Sequence, residues 1–313
     1  MLSKFIILAL FGVLIKAEDT ENSRDCRVDT DRFNNTNIFC YYMKLDNNKI
    51  PLSGQIQPSE NIGIILINCT GKISEDSFPN LRQIDSIAIA NSKLEEIVFP
   101  ELPNLKQVNM ENVVVPSING AFKNIKYLTS IQLVDNSFKI GEESFKGMSK
   151  LEHLIIRGQD VVFKKKFLED LKNLKDLKIM KSNIEKIPSD VFPESSELRI
   201  LVIAINPLKT IEAGAFDPLK KLQTLVLSPT PLEKFNLDWI KEMKDLTQIS
   251  IPARCVDDLD LEQLVKNHPL FNSFMFLQND GSCKSVQNLL EKIGKMKLLI
   301  PVGFGSLTTE KSC

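Results

Sequence analysis

Few side chains in this 313-residue chain are placed to do chemistry by themselves. Its two histidines, His153 and His268, stand 115 positions apart. No Cys-x-x-Cys pair, nucleophile elbow, phosphate-cradling glycine loop or metal-ligand spacing accompanies them. That pattern points away from an enzyme and requires no catalytic residue, metal or cofactor. His153 reads as a solvated strand residue beside Arg157 and Asp176. The run Lys164-Lys165-Lys166 reads as a solvated loop rather than a polyanion site. With 39 basic and 40 acidic side chains, the formal net charge of -1 excludes nucleic acid or an anionic membrane as the main partner.

Covalent chemistry is confined to cysteines and asparagines. Cys26, Cys40 and Cys69 lie early, Cys255, Cys283 and Cys313 late, and the stretch between them has none. In an oxidising compartment this distribution predicts one local disulfide at each end, Cys255 with Cys283 at the C-terminal end. Pairing among Cys26, Cys40 and Cys69 is left open. Each end then has one thiol over, and Cys313, behind a polar tail, is the candidate for an intermolecular bond in a disulfide-linked dimer. Two sequons, Asn34-Asn35-Thr36 and Asn68-Cys69-Thr70, make Asn34 and Asn68 glycosylation candidates.

The compartment is read from residues 1–17. Lys4, the apolar run 5–15 and Ala17 have the layout of a secretory signal peptide. A run of about 11 residues is too short for the roughly 20 that span a bilayer. The apolar stretch 298–304 is followed by a polar tail and fits neither a span nor a lipid-anchor signal. The expectation is a secreted, extracellular chain without a membrane anchor.

The elements between the cysteines follow one phrase, clearest in Asn206 to Leu227 with its core Leu222-x-x-Leu225-x-Leu227. Its first apolar position recurs at Ile84, Leu105, Leu128, Leu151, Leu174, Leu198, Leu222 and Leu246. A second column runs six residues ahead: Phe78, Phe99, Phe122, Phe145, Leu168, Phe192, Phe216 and Ile240. A unit of this size cannot bury its apolar side alone, so it must stack on its neighbours. Positions 4 and 6 of each phrase lie two apart on a strand and face inward together. The fold expected is an α/β solenoid with a curved parallel sheet on its concave face, capped at both ends. Residues 18–73 would form the N-terminal cap with a degenerate first repeat, 74–254 the repeats, and 255–313 the C-terminal cap and tail. Residues 18–30 read as a loose leader, and Val286, Leu289, Leu290 and Ile293 as one face of a capping helix.

Positions 3, 5 and 7 of each phrase point away from the core and pave the concave sheet. The N-terminal half of that face reads as polar. Further along, Ile155, Met180, Ile200, Val202, Ala204 and Val226 form an apolar group on adjacent strands about 4.8 Å apart. Such a cluster marks a contact with another protein. Position 9 contains Asn only at Asn136 and Asn206, with Ser92, Val113, Gln159, Ser182, Thr230 and Arg254 elsewhere. Val113 and Arg254 are not equivalent replacements for Asn, which predicts irregular turns there.

The phrase Asn206–Leu227, with Asn183-Ile-Glu-Lys-Ile-Pro-Ser-Asp-Val-Phe192, resembles the extracellular, typical class of leucine-rich repeat. The resemblance covers roughly residues 62–256. It implies a binding solenoid, as in Toll-like receptor ectodomains, small proteoglycans and insect immune proteins. The short, anchorless form is most similar to arthropod immune-type proteins and implies innate-immune recognition. A soluble inhibitor of a secreted enzyme and a matrix or adhesion protein are the alternatives.

Overall fold

The computed structural model describes residues 5–8, 13–16, 26–30, 35–45, 61–78, 83–194, 196–277, 283–295 and 302–305. Its main element is a sheet of thirteen strands whose spatial order is the order of the sequence. These are β1 (Arg27–Thr30), β2 (Thr36–Tyr41), β3 (Ile62–Ile67), β4 (Ile84–Ala90), β5 (Gln107–Glu111), β6 (Ser130–Val134) and β7 (His153–Arg157). They continue as β8 (Asp176–Met180), β9 (Ile200–Ala204), β10 (Thr224–Val226), β11 (Gln248–Ser250), β12 (Ser273–Leu277) and β13 (Val302–Gly305). All neighbours are parallel except β1 and β2. This is the parallel-sheet solenoid that the spacing predicts.

Register follows the phrase. Position 4 pairs Ile87, Val108, Ile131, Leu154, Leu177, Leu201, Leu225 and Ile249 in one unbroken row, and every one of them is buried. The aromatic column fills the far side of the core, with Phe99 on Phe122 at 5.6 Å and Phe192 on Phe216 at 6.1 Å between ring centroids. At Leu168 the column has no ring. Phe163 and Phe167 fill the gap, linking Phe145 to Phe192 through edge-to-face contacts.

Each coil must turn sharply after its strand, and one residue there takes the left-handed conformation. Tyr42, Asn68, Asn91, Asn112, Asp135, Lys181 and Ile205 have φ between 48° and 55°. Gly158 occupies the same place with φ 70°. A Cβ there would lie 2.0 Å from Asp135 Oδ1, so only glycine fits. The backbone N–H of each such residue donates to the next coil, for example Asp135 to Arg157 O at 2.7 Å.

The polar residues of position 9 work coil to coil. Asn136 Oδ1 accepts from Val113 N–H at 2.8 Å, and its Nδ2 donates to Met110 O at 3.0 Å. Asn206 repeats the pattern on Ser182 and Ile179, and Ser92 Oγ accepts from Cys69 N–H. Arg254 departs from expectation. Its guanidinium donates to the carbonyls of Thr230 and Leu232 in the preceding coil, doing by reach what Asn does at short range. Val113 contributes no such bond and is buried with the core.

Both ends depart from the sequence reading. Residues 18–30 are not all leader, because Arg27–Thr30 is the antiparallel edge strand β1, tied to β2 by the Cys26–Cys40 disulfide. Cys69 is a buried thiol, and desolvation pushes its pKa up. The repeat does not stop at Arg254. Phe271, Phe274 and the backbone of β12 add a further parallel coil after helix α1 (Leu261–Asn267), and β13 pairs on β12. Asp260 caps α1 by accepting from Gln263 N–H. Helix α2 (Cys283–Lys295) buries Leu289 and Ile293, but Leu290 is exposed, so the expected four-residue face is narrower. Cys255 is buried with its sulfur 3.2 Å from Leu232 O. The Cys283 side chain, Cys313 and Asn34 lie outside the described residues. Within the stretch read as a signal, Phe5–Leu8 and Val13–Lys16 pair antiparallel as a separate sheet. Among the described residues, no helix is long and apolar enough to cross a membrane.

Two outcomes follow from these contacts. Asn136→Ala strands the Val113 N–H inside the core, at a cost of about 1–3 kcal/mol. A thermal melt of the variant should fall by several degrees. His268 is 1% exposed and its Nδ1 lies 3.0 Å from Met243 O. Burial, offset in part by that bond, holds its pKa below the usual 6.5. On acidification the unfolded chain therefore protonates first, so stability is lost as pH falls below 6.5. In His268→Gln the melting temperature should lose that part of its pH dependence between pH 7 and 5.

Candidate binding face

The strands that build the core also aim positions 3, 5 and 7 at the concave side. Pairing sets three rows across the face. The middle row runs Phe39, Ile65, Ala88, Asn109, Gln132, Ile155, Lys178, Val202, Val226, Ser250. Parallel rows carry His153, Asp176 and Ile200 on one side, and Arg157, Met180 and Ala204 on the other.

The six residues expected to bind are brought together, but not with equal access. Ile155, Met180, Ile200 and Val202 are half-buried and open to a partner. Ala204 is buried, and Val226 is only 7% exposed. Val226 thus belongs as much to the fold as to the surface. Asn68 is half-buried at the turn after β3, in the left-handed column.

Charges surround the apolar group in pairs. His153 Nδ1 and Asp176 Oδ2 are 2.8 Å apart, and Lys175 Nζ lies 2.7 Å from Glu152 Oε2. Lys181 Nζ lies 3.8 Å from Asp135. Desolvation, then the Asp135 charge, raises the pKa of Glu111, while Arg157 pulls it back. Buried Asn109 receives a bond from Gln107 on its oxygen, whereas its Nδ2 has no partner. His153 and Asp176 form a surface hydrogen-bonded pair, with Glu152 Oε2 3.9 Å from the other ring nitrogen. Among the described residues, no group of His, Cys, Asp and Glu could hold a metal ion.

Two features escaped the sequence reading. The N-terminal half of the face is not polar throughout. Phe39, Ile65, Ile67, Ala88 and Ala90 form a second, buried apolar cluster on the outer side of β2, β3 and β4, with Tyr41 packed against it. The signal was present in Ile62-Gly-Ile-Ile-Leu-Ile67, which has no polar alternation, the mark of a strand covered on both sides. The second feature is Ile205, left-handed and exposed at the rim just beyond Ala204. Away from the sheet, a groove of about 520 Å³ lies between Lys209–Ile211 and Pro231–Lys234, with Trp239 in its wall.

Comparison with known proteins agrees on the repeats. A model described as BspA type leucine rich repeat region matches residues 71–199 in six copies, and one described as leucine rich repeat matches 172–232. A probable glycoprotein hormone G-protein coupled receptor of Anthopleura elegantissima is 24% identical over 204 residues, 61% of this chain and 22% of the receptor. Leucine-rich repeat-containing G-protein coupled receptor 4 of Xenopus tropicalis is 32% identical over 121 residues, 37% of this chain and 13% of that protein. The chain thus spans less than a quarter of the length of these curated relatives. Among solved structures, a chain of the octameric complex of Latrophilin 3, Unc5D and FLRT2 superposes with a TM-score of 0.61. It is 16% identical, and the match covers 91% of this chain and 93% of that one. That likeness establishes the fold.

Burial separates two neighbouring valines by experiment. Val226→Asp puts a charge where water is excluded and should lower the melting temperature sharply. Val202→Asp, on an open position of the same row, should leave it nearly unchanged.

Proposed function

We propose that this chain is a secreted, non-enzymatic leucine-rich-repeat module that recognises another extracellular protein through its concave face. The observation that carries the reading is the apolar group Ile155, Met180, Ile200 and Val202, held in register on adjacent strands and open to solvent. Solvent-facing apolar clusters of this kind are where soluble proteins make contacts. Relatives named as receptors, and a structural neighbour from a complex of several proteins, support a binding role over catalysis. Secretion rests on the composition of residues 1–17, and innate-immune recognition on the resemblance to short arthropod repeat proteins. A second reading, a soluble binder of a protein hormone, is favoured by the receptor that matches 61% of the chain. Inhibition of a secreted enzyme and adhesion in the matrix remain the other uses of the same face.

The test is affinity capture from the fluid into which the chain is released, with wild type beside Val202→Asp and Lys164→Glu. Wild type and the lysine variant should recover the same protein, and Val202→Asp should lose it by at least about tenfold. Equal recovery by all three would move the function off the concave sheet.

A further inference from the structure

We infer that the partner presents to this face a polypeptide segment carrying one carboxylate flanked by aliphatic side chains. The carboxylate would meet Lys178, and an aliphatic group would pack against Ile205. The inference rests on the concave-face reading and specifies the chemistry that the face selects.

Lys178 is the first element. It sits in the middle row, paired in register with Ile155 on one side and Val202 on the other. Two of the cations around it are engaged, Lys175 by Glu152 and Lys181 by Asp135. The carboxylate on its own strand, Asp176, is taken by His153. Among the described residues, Lys178 has no ion pair. A cation half-buried between two aliphatic residues is matched by a single carboxylate delivered with apolar neighbours. The bond would be charge-assisted and sheltered from water. A polyanion fits poorly, because the two neighbouring lysines, Lys175 and Lys181, are already paired.

Ile205 is the second. In its column of turn residues most other coils carry Asn, Asp or Gly, types that tolerate positive φ; Tyr42 and Lys181 are the exceptions, and neither is β-branched. A β-branched residue at φ 54° is a backbone outlier, and the turn does not require one. Nor does the core, since Ile205 is 46% exposed. Its N–H is held by Pro229 O at 2.8 Å, which fixes the backbone there. It directly follows Ala204, at the end of the strand that carries Ile200 and Val202. Strain kept where neither fold nor core asks for it points to a contact.

The experiment selects binders to the full-length chain from a random peptide library displayed on phage. Enriched peptides should combine Asp or Glu with adjacent Leu, Ile, Val or Phe. Lys178→Glu should weaken them about tenfold, and replacing the peptide's acid by Lys should restore binding to that variant. Ile205→Asn should weaken them several-fold while raising the melting temperature by about 1–4 °C, because the strain is relieved. Peptides that bind Val202→Asp as well as wild type would overturn the concave-face reading itself. Peptides lost on Val202→Asp but indifferent to Lys178→Glu and Ile205→Asn would overturn this inference and leave that reading standing. A library that yields no acidic, aliphatic binder also overturns it.

Discussion

Everything in this molecule depends on contact between successive coils. A single coil has one apolar side and no partner within itself, so its Leu or Ile is buried only by the coil before and the coil after. Each such side chain contributes about 1.5–3 kcal/mol when removed from water. The unbroken row from Ile87 to Ile249 is therefore a chain of mutual dependence. The ends are where dependence fails, and there the chain changes its construction. An antiparallel strand and the Cys26–Cys40 disulfide close one end, while α1, β12 and α2 follow the last regular coil at the other.

Stacking brings backbone polar groups into the same dry interior, and they must be satisfied on the same period. The strands satisfy most of them. Turns are harder, because the chain leaves the sheet within two residues. The left-handed column solves the geometry, and Asn136, Asn206, Ser92 and Arg254 supply bonds between coils where the backbone cannot. The chemical means vary from coil to coil. Ser182 and Thr230 instead bond carbonyls of their own coil, and Val113 makes no side-chain bond at all.

The open positions of the concave face are free of that constraint. Side chains such as Val202 can change there without disturbing the stack, whereas Val226, Ala204 and the Phe39–Ala90 cluster are buried on the same face. In this chain some charges at the face are paired, as in Lys175 with Glu152, and Asp176 is hydrogen-bonded by His153. The apolar group around Val202 lies among them, with Lys178, which has no ion pair among the described residues. Ile205 shows the converse case, a turn residue chosen against the preference of its own backbone.

The sequence alone determined the solenoid, the direction of the strands and which positions turn inward, because burial enforces a period that is written in the residues themselves. The seat of the Ile155–Val202 group could be read for the same reason. Tertiary structure decided the rest. Phe271 and Phe274 belong to a further coil, yet the sequence reading stopped at Arg254 because aromatic rings replace leucine there. Arg254 reaches back to bond the previous coil, which depends on side-chain length and not on type. Val226 is buried and Val202 is open, although both occupy position 5, since cover depends on what stands beside and above a residue. That is a property of the assembled surface, and no period along the chain encodes it.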